Sequence, residues 1–224
     1  MPKLGASHKN LDTMVYKELK FRILERKLFP GDKIYQDRLA LELGVSRTPL
    51  VNALKYLVHE KLIEAVPRRG YFVRQFTKEE MTSIFELREV LEGLAARRAS
   101  TLITDAQAKR LEGFFGNFNE LKDLSDYRAY AKEDRLFHTF VVEVGSKEFL
   151  RSILESYNVI AFSYQIGDAE GLVRPPSETI REHQAIIKAI GHRNPDKAEE
   201  LMRMHLRKSR DRLRQDFREK DVPK

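Results

Sequence analysis

The sequence predicts a mainly α-helical chain in two parts: a small basic head ending in a short hairpin, and a larger all-α bundle. Three observations carry this. Apolar residues recur at helical spacing along most of the 224 residues, whereas strand-like runs are confined to 62–73. Turn and break residues crowd the first third and thin out beyond Thr77. The net charge of +7 also divides unevenly: residues 1–76 hold 15 Lys/Arg against 8 Asp/Glu, and residues 77–224 hold 26 of each. The domain boundary is therefore expected between 76 and 77, with an anion-binding head on a body that has another task. A solvated basic surface would give the same charge balance.

Composition excludes several classes. No cysteine is present, which removes disulfide scaffolds, thiolate zinc sites, iron–sulfur centres and cysteine nucleophiles. No run approaches the ~18 apolar residues of a membrane span. Met1 to Asn10 lack the apolar core of a secretory signal, so the cytoplasm is the expected compartment and no membrane partner is expected.

In the head, Asn10 or Asp12 is placed to cap a helix running to about Lys27, with Leu11, Val15, Leu19 and Ile23 on its inner side. Phe29-Pro30-Gly31-Asp32 breaks it. A short helix, Gln36 to Leu43, ends at Gly44, which suits a left-handed stop. Ser46 is a good N-cap for the next helix, to about His59, with Pro49 in its first turn. Leu62–Val66 and Gly70–Val73 then read as strands around Pro67-Arg68-Arg69. Two helices joined by a tight glycine turn and followed by a hairpin with an arginine tip describe a winged helix-turn-helix, whose second helix enters the DNA major groove. Arg38, Arg47, Lys55, Arg68 and Arg69 are the candidate contacts to phosphates or base edges of a DNA duplex.

In the body, helices are expected at about 78–100, 104–122, 126–144, 146–167, 177–191 and 195–218, with Thr77 and Glu80 as a capping box. Gly167 to Pro176 is the one long break. Tyr157, Phe162 and Tyr164 read as core residues of the fourth of these helices. Arg203 to Arg218 reads as a solvated helix face.

Polar residues stand where apolar ones belong. Asp134 and His138, one turn apart, share a face with Ala131 and Val141. His183 lies in the stripe of Ile180, Ile187 and Ile190, and His205 in that of Ala198 and Met202. Taken singly, each histidine also reads as a hydrogen-bonded core residue. As a set on three helices, Asp134, His138, His183 and His205 would satisfy one another around a divalent cation. Imidazole and carboxylate ligands suit zinc, nickel, manganese or iron. Arg88, inward-facing with Ile84, Leu91 and Ala95, reads either as an anchor for an anionic small molecule near the metal or as one half of a structural salt bridge with Glu92 or a neighbouring helix. A metal-dependent hydrolase fused to a DNA-binding head is the rival reading. It is weakened by the lack of H-E-x-x-H and of a spare carboxylate for a general base.

The run Phe29-Pro30-Gly31-Asp32-Lys33-Ile34, Leu39-Ala40, Leu43-Gly44-Val45-Ser46-Arg47-Thr48-Pro49, Ala53-Leu54 and Arg69-Gly70-Tyr71-Phe72-Val73 resembles the head of GntR-family transcription regulators. Glu86-Leu87-Arg88, Leu91-Glu92, Asp134, Phe137-His138, Glu182-His183 and His205-Leu206 resemble the FadR-type FCD effector domain. The resemblance implies a dimeric, ligand-responsive regulator, usually a repressor, acting on an operator duplex and responding to a small organic acid. It implies that Asp134, His138, His183 and His205 bind a divalent metal that helps hold the acid. It also implies that Arg47 and Thr48 open the recognition helix at the DNA, with Gly70 at the wing. Family members commonly have Arg-Glu where this chain has Val51-Asn52, so Asn52 is expected to supply a different base readout, such as adenine.

Overall fold

The computed structural model describes residues 6–118, 126–146, 150, 153 and 172–220. The chain divides into two compact units, Met1–Gln75 and Phe76–Lys224.

The first unit contains α1 (Ala6–Leu24), β1 (Lys33–Ile34), α2 (Gln36–Leu43), α3 (Arg47–His59), β2 (Ile63–Val66) and β3 (Gly70–Val73). Its core is the apolar stripe of α1, Val15, Leu19 and Ile23, set against Leu50, Ala53, Leu54 and Leu57 of α3 and Leu62, Ile63 and Val73 of the hairpin. The α1 helix begins and ends earlier than its sequence suggests. Asp12 lies inside it rather than capping it, and Leu11 is exposed. Gly44 takes the left-handed conformation at φ 63°, and the amides of Gly44 and Val45 return to Leu41 and Ala40, which closes the turn into α3. Ser46 occupies the N-cap of α3 without a side-chain cap bond.

The sheet has the order β1-β3-β2 and is antiparallel throughout, with Ile34 opposite Tyr71 and Glu64 opposite Phe72. The two-residue β1 went unseen in the sequence because it is too short to show alternation. The hairpin tip needs left-handed backbone at Arg68 (φ 61°) and a positive φ at Gly70 (100°), and only the glycine adopts this without strain.

The described part of the second unit is helical: α4 (Lys78–Leu102), α5 (Asp105–Glu112), a 3₁₀ turn at Gly116–Phe118, α6 (Tyr127–Gly145), α7 (Pro176–Gly191) and α8 (Pro195–Lys220). Thr77 and Glu80 form the reciprocal capping box, and Thr104 forms a second with Gln107. Asn194 caps α8 by accepting from the Lys197 amide. The α4 helix is central and packs against α8 above all, then α6. Gly145 makes the α4–α6 approach possible, since a Cβ there would stand 1.9 Å from the Ala95 carbonyl oxygen.

The helix expected over 104–122 stops at Glu112. Gly113 and Phe115, the latter at φ 61°, turn the chain instead, and residues 119–122 lie outside the described residues. The helix expected over 146–167, with Tyr157, Phe162 and Tyr164, lies almost wholly outside them too, as do residues 167–171 of the Gly167–Pro176 break. No helix among the described residues is long and apolar enough to cross a membrane.

Candidate metal centre and nucleic-acid interface

Asp134 and His138 project from α6, His183 from α7 and His205 from α8, each from the apolar side of its helix. The three histidines are 1%, 0% and 4% exposed. One ligand atom from each lies within 4.8 Å of the others. His183 Nε2 is 3.2 Å from His205 Nε2 and 3.1 Å from Asp134 Oδ1, and His138 Nε2 is 3.9 Å from Asp134 Oδ2. Ligands each about 2.1 Å from one ion stand roughly 3–3.5 Å apart, a spacing met by His183 with His205 and with Asp134, while His138 stands somewhat farther from Asp134.

The outward ring nitrogens explain why the inward ones converge. His138 Nδ1 donates to Glu92 Oε2 at 2.5 Å, and His205 Nδ1 donates to Glu182 Oε2 at 2.8 Å. An ionised carboxylate only accepts, so both rings carry a proton on Nδ1 and present Nε2 inward, the nitrogen that offers a lone pair in the neutral ring. His183 Nδ1 meets the Tyr130 hydroxyl at 3.0 Å, which also touches Thr179 Oγ1 at 2.9 Å. Phe115 stacks flat on the His183 ring, centroids 4.6 Å apart and planes 2° from parallel. Ring nitrogens and a carboxylate turned toward one another gain from a cation placed between them. His138, His183 and His205 thus form a buried set able to hold a metal ion.

Charge states agree with this. Burial, reinforced by His205 and His138, pushes His183 well below the ordinary imidazole range. Burial also lowers His205, against the opposing pull of Glu182. Neutral imidazole is the form that ligates. Burial would raise the Glu92 carboxyl, but Arg88 and His138 outweigh it and hold Glu92 at about 2. Glu182, likewise opposed by burial, is held below its usual range by bonds from His205, Arg174 and Lys208.

Arg88 is buried, and its Nε donates to Glu92 Oε1 at 2.5 Å, so the ion pair with Glu92 is formed. Its side chain still borders a chamber shared with Asp134, His138, Arg174 and His205. Three contributors were not assigned a role from sequence, and a fourth, Glu92, was read only as a partner for Arg88. Glu92 links Arg88 to His138. Glu182 orients His205. Arg174, itself buried, grips both oxygens of Glu182 at 3.2 and 2.6 Å and reaches the Ser209 hydroxyl at 3.1 Å. Tyr130 orients His183. Only Glu92 left a signal, as the residue one turn from an inward-facing arginine.

In the first unit, Arg47 and Thr48 open α3 and are exposed. Thr48, Asn52 and Lys55 follow at helical spacing on the side away from the core, with Asn52 half-buried. Arg38 is exposed on α2. Arg47 pairs with Asp37 at 2.7 Å, both side chains about three-quarters exposed, an association weak enough to exchange for a phosphate. Arg68 and Arg69 are exposed at the hairpin tip beside the half-buried Gly70, and the Arg69 guanidinium lies over the Phe72 ring at 5.4 Å. Asn52 Nδ2 donates to Asp12 Oδ2 at 3.0 Å.

Comparison with known proteins places this arrangement. Residues 11–73 match the profile of the bacterial regulatory proteins, gntR family, and residues 83–208 that of the FCD domain. The chain is similar to the HTH-type transcriptional repressor RspR of Escherichia coli (strain K12), 25% identical over 215 residues that cover 92% of this chain and 90% of RspR. It is 25% identical over 199 residues to a gluconate operon transcriptional repressor of Bacillus licheniformis, covering 87% of this chain and 82% of that one. A GntR regulator of Rhodococcus sp. RHA1 has the same fold, with a TM-score of 0.77 at 19% identity over 90% of this chain and 96% of that one. With both profiles matched in order along most of its length, the chain belongs to the GntR family of bacterial regulatory proteins and carries an FCD domain, which makes it a ligand-responsive, DNA-binding transcriptional regulator rather than an enzyme.

Proposed function

We propose that this chain is an operator-binding repressor that works as a homodimer and senses a small organic acid at a divalent transition metal held by Asp134, His138, His183 and His205. The observation that carries the sensor half is the set of outward Nδ1 bonds to Glu92, Glu182 and Tyr130, which aims the inward ring nitrogens at the Asp134 carboxylate. With no thiolate in the set, zinc, nickel, manganese and iron are the candidate ions. When bound, the ion supplies a Lewis-acidic position for a carboxylate oxygen. Arg88, bordering the same chamber, supplies positive charge to the acid while Glu92 holds its Nε. The name of the gluconate operon repressor favours the same ligand class. Leu87, Val90 and Leu94 form an exposed apolar stripe on α4, which a second copy would cover.

In the head, Arg47, Thr48, Asn52 and Lys55 of α3, Arg38 of α2, and Arg68, Arg69 and Gly70 of the wing are assigned to the operator. Acid binding shifts DNA affinity only by as much as the acid discriminates between the two arrangements of the protein.

The test uses the full chain purified without chelator. Elemental analysis is expected to find about one transition metal per chain, as a single site demands. A thermal-shift screen of small carboxylic acids is expected to show stabilisation that EDTA abolishes. A metal-free protein, or acid stabilisation indifferent to EDTA, overturns the sensor assignment.

A further inference from the structure

The seam between α1 and α3 in the head carries polar partners at matched spacing. Asp12, Tyr16 and Lys20 on α1 stand one turn apart, as do Asn52, Tyr56 and Glu60 at the α3 end. Asn52 Nδ2 donates to Asp12 Oδ2 at 3.0 Å. The Tyr16 and Tyr56 rings meet edge to face, centroids 6.3 Å apart. Glu60 accepts from the Tyr16 hydroxyl at 2.5 Å and from Lys20 Nζ at 3.0 Å. The two lower rungs tie α1 to α3 beyond the Thr48–Asn52–Lys55 stripe, in which Thr48 and Lys55 are exposed and Asn52 is half-buried. The top rung differs, because one of its members belongs to that stripe.

We propose that Asp12 is a positioning residue for sequence readout: it locks the Asn52 amide in the orientation that reads one adenine of the operator. The chemistry constrains the amide closely. A carboxylate accepts and cannot donate, so the atom facing Asp12 is Nδ2, and the other arm is Oδ1. One Nδ2 hydrogen is spent on Asp12. One Nδ2 hydrogen and the Oδ1 lone pairs remain, a donor and an acceptor held in one plane. That is the pair adenine requires in the major groove, where its N7 accepts and its N6 amino group donates. Guanine presents two acceptors there and would leave Oδ1 facing an oxygen. A free asparagine side chain must surrender rotamer entropy to make both bonds; one already fastened to α1 surrenders less. Asp12 also places a negative charge beside the stripe, which lowers affinity for every duplex alike.

These two effects separate in an experiment. The full-length protein and its variants select from a random-sequence duplex pool, and affinities for the selected and single-base-changed duplexes follow by fluorescence anisotropy. Wild type is expected to prefer adenine at one position of each half-site by roughly tenfold or more. Asn52→Ala loses that preference. Asp12→Ala binds all duplexes more tightly yet loses most of the preference. Asp12→Asn, which still accepts from Asn52 Nδ2 through Oδ1, also binds more tightly but keeps it. A merely structural role for Asp12 would make Asp12→Ala lower the melting temperature and weaken all duplexes equally, which overturns the proposal.

The proposal rests on α3 being the reading helix, and the two fail differently. If Asn52→Ala and Asp12→Ala keep the wild-type preference while Arg47→Ala changes it, only the proposal falls. If Arg47→Ala and Asn52→Ala both leave the selected sequence unchanged, the α3 assignment falls with it.

Discussion

A guanidinium removed from water has to find fixed acceptors, and Arg88 finds them in Glu92, a carboxylate that is itself fully buried. Glu92 Oε1 then accepts from Arg88 Nε, and Oε2 accepts from His138, with Arg88 Nη2 also reaching Oε2 at 3.5 Å. The ion pair is therefore structural and also sets the ring orientation of a candidate ligand. Replacing Glu92 by alanine removes a buried carboxylate partner of Arg88 and frees the His138 ring. The expected cost is about 3–5 kcal/mol of stability by urea unfolding, as for other broken buried pairs. Zinc affinity by competition titration is expected to fall about 10- to 100-fold, as when the outer partner of a ligating histidine is lost. Unchanged zinc affinity in a folded Glu92→Ala protein would show that the Glu92 contact does not matter to the site. From sequence, the inward pointing of Arg88, Asp134 and the three histidines was legible, because each interrupts an apolar stripe at helical spacing. The partners Glu182, Arg174 and Tyr130 were not, because each reaches the group it orients from another element.

At the scale of elements, the site depends on how closely α4 and α6 approach, since α4 carries Arg88 and Glu92 and α6 carries Asp134 and His138. Gly145, packed on the Ala95 carbonyl, sets that distance at one end. Gly145→Ala is expected to force the helices apart at a cost of about 1–3 kcal/mol or more, read from the chemical denaturation midpoint. Wild-type stability in that variant would mean that the helix end yields instead. The stop of α5 at Glu112 has a similar bearing on the site. Helical periodicity alone would carry the helix onward through residues 113–118. Instead Phe115 takes a left-handed conformation, which costs a non-glycine residue about 1–2 kcal/mol, and its ring lies flat on His183. Burial of that ring among Tyr130, Phe137 and His183 offsets the strain, and a local pattern cannot register a contact made with helices later in the chain.

For the whole molecule, the uneven charge makes a prediction about salt. The first 76 residues hold the entire +7 excess, and Arg38, Arg68 and Arg69 lie exposed on α2 and the hairpin tip. Operator affinity is expected to fall steeply with salt. If the bound protein makes 6–10 phosphate contacts, about 10³–10⁵ is lost between 50 and 200 mM. Arg38→Ala and Arg69→Ala should each lower the slope of log affinity against log salt by about 1 while leaving base preference intact. A wild-type slope in both variants would move the phosphate contacts elsewhere.

The sequence by itself determined the helical class, the division into a basic head and a neutral body, the glycine turn before α3, and the inward facing of Arg88, Asp134, His138, His183 and His205. Each of these is local, or periodic, or a sum over residues, and so is written along the chain. Only the tertiary structure decided that Arg88 is held by Glu92, that α5 stops for the sake of Phe115, and that Asp12 holds Asn52 instead of capping a helix. Those outcomes turn on contacts between residues tens of positions apart, where a fraction of an ångström in helix packing decides which donor meets which acceptor.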